Sequence, residues 1–238
     1  GTYAITEDAV AGWVQTSATC SDGSPVSAIV LSAGETVTCT FTNTKNSHII
    51  IDKVTNPSGD AQSFSFTAGG TGYSSFSLTD AAAPNDQVVG AGTYSVSEGA
   101  LAGWTQTSAT CSDGSPVTAI VVSAGETVTC TFTNTKKGHI IVDKVTNPSG
   151  DPQSFTFTTG YGSSSSFGLA DADTPNDSGL LEPGTYSVSE AAESGWDLAG
   201  ATCSDGSPVS AIVLGAGETV TCTFTNKKKA HIRIVKNT

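Results

Sequence analysis

The chain has 238 residues, and its net charge of −12 excludes a nucleic-acid-binding surface, because phosphate binding requires a basic patch. No apolar stretch is long enough to span a membrane. Only 13% of the residues are charged, while 26 are glycine and none is methionine, a composition typical of short strands joined by tight turns.

The sequence repeats with a domain-sized period. Trp13, Trp104 and Trp196 are 91 and 92 residues apart, which indicates similar domains in tandem rather than one large fold. When a repeat is taken to begin at the histidine of HIIIDKV, the chain divides into four segments. They are 1–47, the C-terminal part of a truncated repeat; 48–138 and 139–230, two complete repeats; and 231–238, the first strand of a following repeat.

The two incomplete segments have two explanations. Either the chain is a window on a longer array, or residues 231–238 complete the open repeat of a neighbouring subunit. These residues replace only 8 of the 44 that the first repeat lacks, the equivalents of 48–91. We therefore expect the window.

Apolar and polar residues alternate within each repeat, which is the period of a β-strand. In the second repeat the alternation predicts strands at 48–55, 63–67, 93–98, 104–109, 119–122 and 127–134. Turn sequences rich in Gly, Pro, Asn and Asp separate them, including 83–86 and 90–92. Many short strands without a helical pattern predict an all-β fold of tandem antiparallel β-sandwich repeats.

Each repeat holds two cysteines that are 19 residues apart, and even the truncated first repeat keeps both. The repeat therefore selects one disulfide per repeat: Cys20 with Cys39, Cys111 with Cys130, and Cys203 with Cys222. A bridge over such a loop contributes about 3 kcal/mol in the chain-entropy model, and it places the protein outside the reducing cytosol.

A metal or cofactor site is not expected. A zinc site would need four ligands, and each repeat offers one histidine beside its cysteines, at His48, His139 and His231. Acidic residues cluster at Asp80, Asn85 and Asp86 and at Asp171, Asp173, Asn176 and Asp177. These clusters could bind calcium, but their spacing fits no known loop, and Asn-Asp turns explain them.

Three polar residues extend the apolar faces of strands in the second repeat. At alternate positions Lys53 follows two isoleucines, Glu98 follows a tyrosine and a valine, and Asn134 follows a cysteine and a phenylalanine. Because alternate side chains of a strand share a face, all three are predicted to point towards the core. A partly buried ion pair of Lys53 and Glu98, or a lysine that reaches out to solvent, would explain the pattern without further chemistry.

These three residues stand in a wider set of motifs. Pro57-Ser58-Gly59 follows Lys53, Gly92-Thr93-Tyr94-Ser95-Val96-Ser97-Glu98 precedes Gly103-Trp104, and the last strand ends in Phe132-Thr133-Asn134. In these motifs each repeat resembles the prealbumin-like B-type repeat of the collagen-adhesin and SpaA-like pilin family of prokaryotic surface proteins. The resemblance covers essentially the whole chain. It implies a prealbumin-like, Ig-like sandwich at the cell surface or in the extracellular space.

The resemblance also implies a chemistry for the polar set. Many members of that family join the first-strand Lys to the last-strand Asn by a spontaneous isopeptide bond, with the Glu as proton shuttle. Carried onto this chain, the sets are Lys53, Glu98 and Asn134, and Lys144, Glu190 and Asn226; Glu7 and Asn43 lack a lysine, and Lys236 lacks a partner pair. Burial favours the neutral amine and the protonated carboxyl that such a reaction uses. Members without the crosslink exist, so the ion pair stays open as the alternative.

The junctions between repeats are short, since four residues, 135–138, separate Asn134 from His139. We therefore predict a structural, non-enzymatic segment of a surface stalk, pilus-like fibre or filament, whose partners are neighbouring repeats or subunits. The alternative is an adhesin that binds a glycan or a host protein through the variable loops 69–75 and 160–166. The repeated tryptophans could form a glycan platform, although their fixed strand position favours a role in the core.

Overall fold

The computed structural model describes residues 1–162 and 166–237. Within these residues the chain forms 21 strands and no helix, which confirms the predicted all-β class of tandem sandwich repeats. No membrane-spanning helix is therefore found in the part of the chain that is described.

The first repeat has two separate pairs of strands. β1 pairs with β3 and β2 pairs with β4, both antiparallel. These strands are β1 (Thr2–Tyr3), β2 (Trp13–Cys20), β3 (Ile29–Val30) and β4 (Cys39–Lys45).

The second repeat has two four-stranded sheets, with the orders β10-β12-β5-β8 and β11-β9-β6-β7. Its strands are β5 (Ser47–Asn56), β6 (Phe64–Gly69), β7 (Phe76–Leu78), β8 (Asn85–Val89), β9 (Gly92–Glu98), β10 (Trp104–Cys111), β11 (Ile120–Val122) and β12 (Thr127–Lys136). Strands β7 and β8 were not predicted, and the predicted turn 83–86 is wrong at its end, because Asn85 and Asp86 begin β8. There β8 pairs with β5 and Gln87 donates a hydrogen bond to Asn85, so tertiary pairing overrides the turn preference of Asn-Asp.

The third repeat has three sheets: a four-stranded one in the order β16-β13-β21-β19, a three-stranded one in the order β15-β14-β18, and the pair β17-β20. Its first and last strands, β13 and β21, run parallel from the pair His139 and Thr219 to the pair Asn147 and Lys227. Its strands are β13 (His139–Asn147), β14 (Phe155–Thr159), β15 (Ser166–Leu169), β16 (Asn176–Asp177), β17 (Gly184–Tyr186), β18 (Val188–Glu190), β19 (Trp196–Cys203), β20 (Ile212–Leu214) and β21 (Thr219–Lys228).

The core of the third repeat lies between these sheets. Ile140 and Val142 of β13, Phe155 and Phe157 of β14 and Phe224 of β21 are all buried. The rings of Phe157 and Phe224 pack edge to face at 5.1 Å between centroids. Alternate residues of β13 point into this core, as the sequence predicted, so the strand carries its next inward residue, Lys144, to the end of the core.

The connector to the second repeat ends at a turn of that repeat, residues 123–126. His48 donates its backbone N–H to the carbonyl of Glu126 at 2.9 Å, and the hydroxyl of Ser47 donates to the carbonyl of Ser123 at 2.7 Å. The connector to the third repeat makes the equivalent hydrogen bond, since the backbone N–H of His139 donates to the carbonyl of Glu218 at 2.9 Å. We call the turns 32–35, 123–126 and 215–218 the junction turns.

Contacts between Cα atoms divide the chain into two compact units. One comprises 1–54, 59–99 and 108–133, and the other comprises 55–58, 100–107 and 134–238. The division does not follow the sequence repeats, because the ends of some second-repeat strands group with the third repeat.

Candidate functional site

The most complete polar set lies in the core of the third repeat. Lys144 of β13, Glu190 at the end of β18 and Asn226 of β21 come together there, and their side chains or residues are at most 2% exposed. The parallel register places Lys144 beside Phe224, and Asn226 is the next residue of β21 on the same face. The strand pairing therefore brings the lysine and the asparagine together, although they are 82 residues apart in sequence.

The Lys144 amine is held by four groups. Its Nζ donates hydrogen bonds to Oδ1 of Asn226 at 3.0 Å and to the carbonyls of Val145 and Phe224 at 3.1 and 3.2 Å. It also lies 4.2 Å from the centre of the Phe155 ring. The amine is thus directed at the side-chain amide of Asn226 in a site closed to solvent.

Glu190 bridges the other side of the amide. Asn226 Nδ2 donates a hydrogen bond to Oε1 of Glu190 at 2.5 Å, and Oε2 lies 3.7 Å from Lys144 Nζ. Within the described residues Oε2 accepts no hydrogen bond. The carboxyl group therefore contacts the amide nitrogen, which would leave as ammonia, rather than the amide oxygen.

Burial shifts both titrating groups towards their neutral forms. Desolvation lowers the pKa of Lys144, and the negative charge of Glu190 opposes this shift. Desolvation raises the pKa of Glu190, and Lys144 and the hydrogen bond from Asn226 oppose that shift. A charged group loses hydration when it is buried, so a neutral amine beside a protonated carboxyl becomes more accessible than it would be in water.

The second repeat reproduces the burial and the lysine–glutamate contact of this arrangement around Lys53, but no hydrogen bond joins Lys53 Nζ to Oδ1 of Asn134. The lysine Nζ lies 3.7 Å from Oε1 of Glu98, with both side chains at most 1% exposed, and it donates to the carbonyl of Phe132 at 3.3 Å. The ring of Phe64 lies 4.2 Å from the amine, as that of Phe155 does in the third repeat. Desolvation lowers the pKa of Lys53. Asn134 of β12 is buried, with 4% of its surface exposed.

The first repeat contains the other two members of the set without a lysine. Asn43 of β4 donates a hydrogen bond to Glu7 at 2.5 Å, and both residues are exposed. They line an open groove of about 240 Å³, together with Trp13 and Val14. The remaining candidate, Lys236, lies in the exposed segment 231–237.

The six cysteines form the three disulfides that the repeat predicts. In each of the first and third repeats the two cysteines lie directly opposite each other on antiparallel strands. The bridge therefore links the last strand of a repeat to the neighbouring edge strand, four residues before the asparagine in that last strand.

Other residues weighed from the sequence have structural partners. Trp104 and Trp196 are buried, at 9% and 6% exposure, which confirms a core role for these two. Trp13 is 48% exposed, so the core role predicted for it is wrong in this structure. His48 pairs with Asp86 at 2.8 Å and His139 with Asp177 at 2.9 Å. No group of three or more His, Cys, Asp or Glu side chains suited to a metal ion occurs within the described residues. Of the variable loop 160–166, residues 163–165 lie outside the described residues.

Two supporting features were missed in the sequence. The phenylalanine rings beneath the lysines, Phe64 and Phe155, belong to the second strand of each repeat and are visible in sequence only as repeated aromatic positions. Thr146 sits opposite Asn226 in the register; its hydroxyl donates to Asp171 at 2.7 Å, and Asp171 also accepts the N–H of Gly150. These two hydrogen bonds hold the turn that follows β13, the strand of Lys144.

Comparison with known proteins agrees with the fold. A family described as "Prealbumin-like fold domain" matches residues 49–136 and 140–228, and a second family with the same description matches 1–41. No curated protein gives a match.

Among solved structures, the Bacillus anthracis TIE protein is similar to this chain at 18% identity and a TM-score of 0.33, over 84% of this chain and 38% of its own. The major pilin T-13 from Streptococcus pyogenes gives 15% identity and a TM-score of 0.34, over 92% of this chain and 100% of its own. A C-terminal fragment of the pilus adhesin SpaC from Lactobacillus rhamnosus GG gives 15% identity and a TM-score of 0.33, over 80% and 100%. The chain thus spans 38% of the length of the TIE protein.

Proposed function

The chain belongs to the family of prealbumin-like fold domains, and on that premise we propose that it is a structural segment of an extracellular surface fibre, stalk or pilus-like filament. The observation that carries the proposal is the buried set of Lys144, Glu190 and Asn226, which has no route to a solvent-borne substrate. A set closed inside each complete repeat suits a bond within that repeat. Three disulfides, typical of proteins outside the cytosol, support the same role.

The proposed reaction in the third repeat forms one bond and breaks one. The neutral amine of Lys144 attacks Cγ of Asn226, so that a C–N bond forms, and the bond from Cγ to Nδ2 breaks. Glu190 takes a proton from the attacking amine and gives one to the leaving nitrogen, which departs as ammonia. Close and fixed placement of the reacting groups takes the place of a separate catalyst.

Lys53, Glu98 and Asn134 are the equivalent set of the second repeat. The alternative is a buried ion pair that never reacts, and the contact of 3.7 Å between amine and carboxylate in each of the two complete repeats is compatible with it. Buried ion pairs are weak evidence for stability, because desolvation offsets much of the attraction. The two alternatives differ in covalent mass and can be separated by it.

The test is the mass of the intact chain after reduction of the disulfides. We expect the wild-type mass to be lower than the sequence mass by two ammonia molecules, one for each complete repeat. Asn226→Ala should lose one ammonia, and peptide mapping should then find only the link from Lys53 to Asn134. Asn43→Ala in the open repeat is the matched control, and it should still lose two. A wild-type chain at its full sequence mass would refute the crosslink and leave the ion pair.

A further inference from the structure

The connector between the second and third repeats, residues 135–138, is held by the third repeat through its backbone. Gly138 and Leu181 exchange two backbone hydrogen bonds of 2.9 Å in an antiparallel bridge. A Cβ on Gly138 would lie 2.5 Å from the carbonyl oxygen of Glu218, in the junction turn 215–218. The connector therefore approaches this turn too closely for a side chain at that position.

A side-chain contact joins the same connector to the residue that follows Leu181. Oε1 of Glu182 accepts a hydrogen bond from the hydroxyl of Thr105 at 2.6 Å and lies 3.0 Å from Nζ of Lys137. Thr105 belongs to β10 and Lys137 to the connector, so both come from the second repeat, whereas Glu182 belongs to the third. One carboxylate thus contacts two segments of the neighbouring repeat.

The Glu182 carboxylate is held in its charged form by these two partners. The hydrogen bond from Thr105, followed by that from Lys137, lowers the pKa of Glu182, although desolvation opposes the shift. The ion pair alone is weak, because the side chains of Glu182 and Lys137 are 49% and 28% exposed. A hydroxyl that donates to a charged oxygen adds a stronger contact, so the carboxylate acts through both partners together.

The backbone beside this carboxylate brings the same segments together. Lys137 donates its backbone N–H to the carbonyl of Gly103 at 2.8 Å. A Cβ on Gly103 would lie 4.0 Å from Cδ2 of Leu180. Residues 100–107 and 134–138 accordingly group with the third repeat in one compact unit, although their sequence belongs to the second.

The connector between the first and second repeats, residues 44–47, has different side chains. Asn46 donates its backbone N–H to the carbonyl of Gly12 at 2.8 Å, which is the equivalent connector bond. By the repeat period, the equivalents of the threonine, the lysine and the glutamate are Val14, Asn46 and Gly90. These three residues carry no charge and cannot form the ion pair.

We propose that Glu182, Lys137 and Thr105 form a clamp that limits the opening of the connector between the second and third repeats. With the clamp closed, the connector and the start of β10 move with the third repeat. When the ion pair is screened or removed, the backbone hydrogen bonds of the connector open more often. The proposal rests on the proposed structural function, because it names what limits movement between two repeats of the segment.

The test is the hydrogen exchange of single backbone amides in the whole chain, measured by NMR. The amides of Lys137, Gly138 and Leu181 donate the hydrogen bonds of the connector, so their exchange rates report how often it opens. Glu182→Gln removes the charge and should raise all three rates about fivefold. Salt at about 1 M should raise the wild-type rates in the same way and leave those of the variant unchanged.

Two further variants separate the clamp from a general effect of charge. Asp197→Asn removes a carboxylate from another exposed ion pair of the third repeat, with Lys229 at 3.1 Å; it is the matched control and should exchange as the wild type does. Lys137→Met combined with Glu182→Gln should exchange no faster than either single variant, because both break the same contact. Folding is not at risk, since the clamp side chains are partly exposed.

The clamp can also be built into the connector 44–47. Asn46→Lys, Gly90→Glu and Val14→Thr together supply the three side chains. The nearest atom to a Cβ on Gly90 is the hydroxyl oxygen of Tyr94, at 4.0 Å, so a side chain fits there. The amide of residue 46 should then exchange about fivefold more slowly than in the wild type.

Unchanged rates in Glu182→Gln, or an equal response to Asp197→Asn, would overturn the proposal. Additive effects of Lys137→Met and Glu182→Gln would overturn it as well, and so would a triple substitution that leaves the amide of residue 46 as in the wild type. The mass of the intact chain, which tests the crosslink, is measured separately. A failure of the clamp and a failure of the proposed function therefore give different results.

Discussion

The first and third repeats contain the same last strands in different surroundings. β2 and β4 carry the same disulfide and the same asparagine as β19 and β21, yet Cys222 is fully buried and Cys39 is only partly so. The Glu–Asn contact forms in both, at 2.5 Å. The contact between glutamate and asparagine thus forms from the strands that the first repeat shares with the third. The burial that shifts the pKa of Lys144 and Glu190 comes from the strands that only the third repeat has, which begin with β13.

The tryptophans test this division most strongly. Trp196→Ala should cost about 3–5 kcal/mol, because it removes a buried side chain that packs edge to face on Phe155 at 5.3 Å. Trp13→Ala should change the stability by less than about 0.5 kcal/mol, since a half-exposed side chain has fewer neighbours to lose. Hydrogen exchange of the amides of β21 and β4, read by mass spectrometry, gives both values locally.

Equal costs for the two tryptophan substitutions would show that the open repeat is packed as tightly as the closed one.

For the disulfides we expect the opposite order, because removing the bridge should affect the first repeat more than the third. A pair of strands without further partners is marginal in water, so the bridge between Cys20 and Cys39 carries most of the order of β2 and β4. Replacing both of these cysteines with alanine should abolish the exchange protection of that pair. The same replacement at Cys203 and Cys222 should cost about 3 kcal/mol in the chain-entropy model but leave β19 and β21 protected.

The matched double substitutions also serve as each other's control, because the bridged loops have the same length. If the third repeat lost all protection and the first kept it, the contribution of the surrounding sheets would be smaller than the structure indicates. Measurement under oxidising conditions keeps the remaining bridges intact.

The sequence predicted much of this fold from two regularities. The period predicted the repeats and the three disulfides, and alternation predicted that Lys53, Glu98 and Asn134 lie on inward faces. Both regularities are local or repeated, so they can be read without a structure. The family resemblance then gave the set its chemistry.

Other features depend on contacts between distant segments. Strand β8 was missed because Asn85 and Asp86 favour a turn, and only its pairing with β5 makes it a strand. The parallel register of β13 and β21 also lies beyond the alternation pattern, which is the same for either direction. For this reason the sequence could predict that Lys144 and Asn226 lie near each other, but it could not predict the hydrogen bond from Lys144 Nζ to the Asn226 oxygen.

The smallest expected effect concerns Asp171, which accepts hydrogen bonds from Thr146 and Gly150. These residues belong to the part of the repeat that has no counterpart in the first repeat. The hydrogen bond from Gly150, followed by that from Thr146, lowers the pKa of Asp171 below its ordinary 3.8. A depressed folded-state pKa adds stability that is fully present above the unfolded value and is lost as the pH falls below it. Asp171→Asn should therefore flatten the acid limb of the stability curve of the third repeat below about pH 4. Asp197→Asn, at an exposed carboxylate of the same repeat, is the control. The acid limb is measured by thermal unfolding at a series of pH values, followed by hydrogen exchange of β13 and β21. An unchanged acid limb in Asp171→Asn would show that other contacts hold the turn after β13.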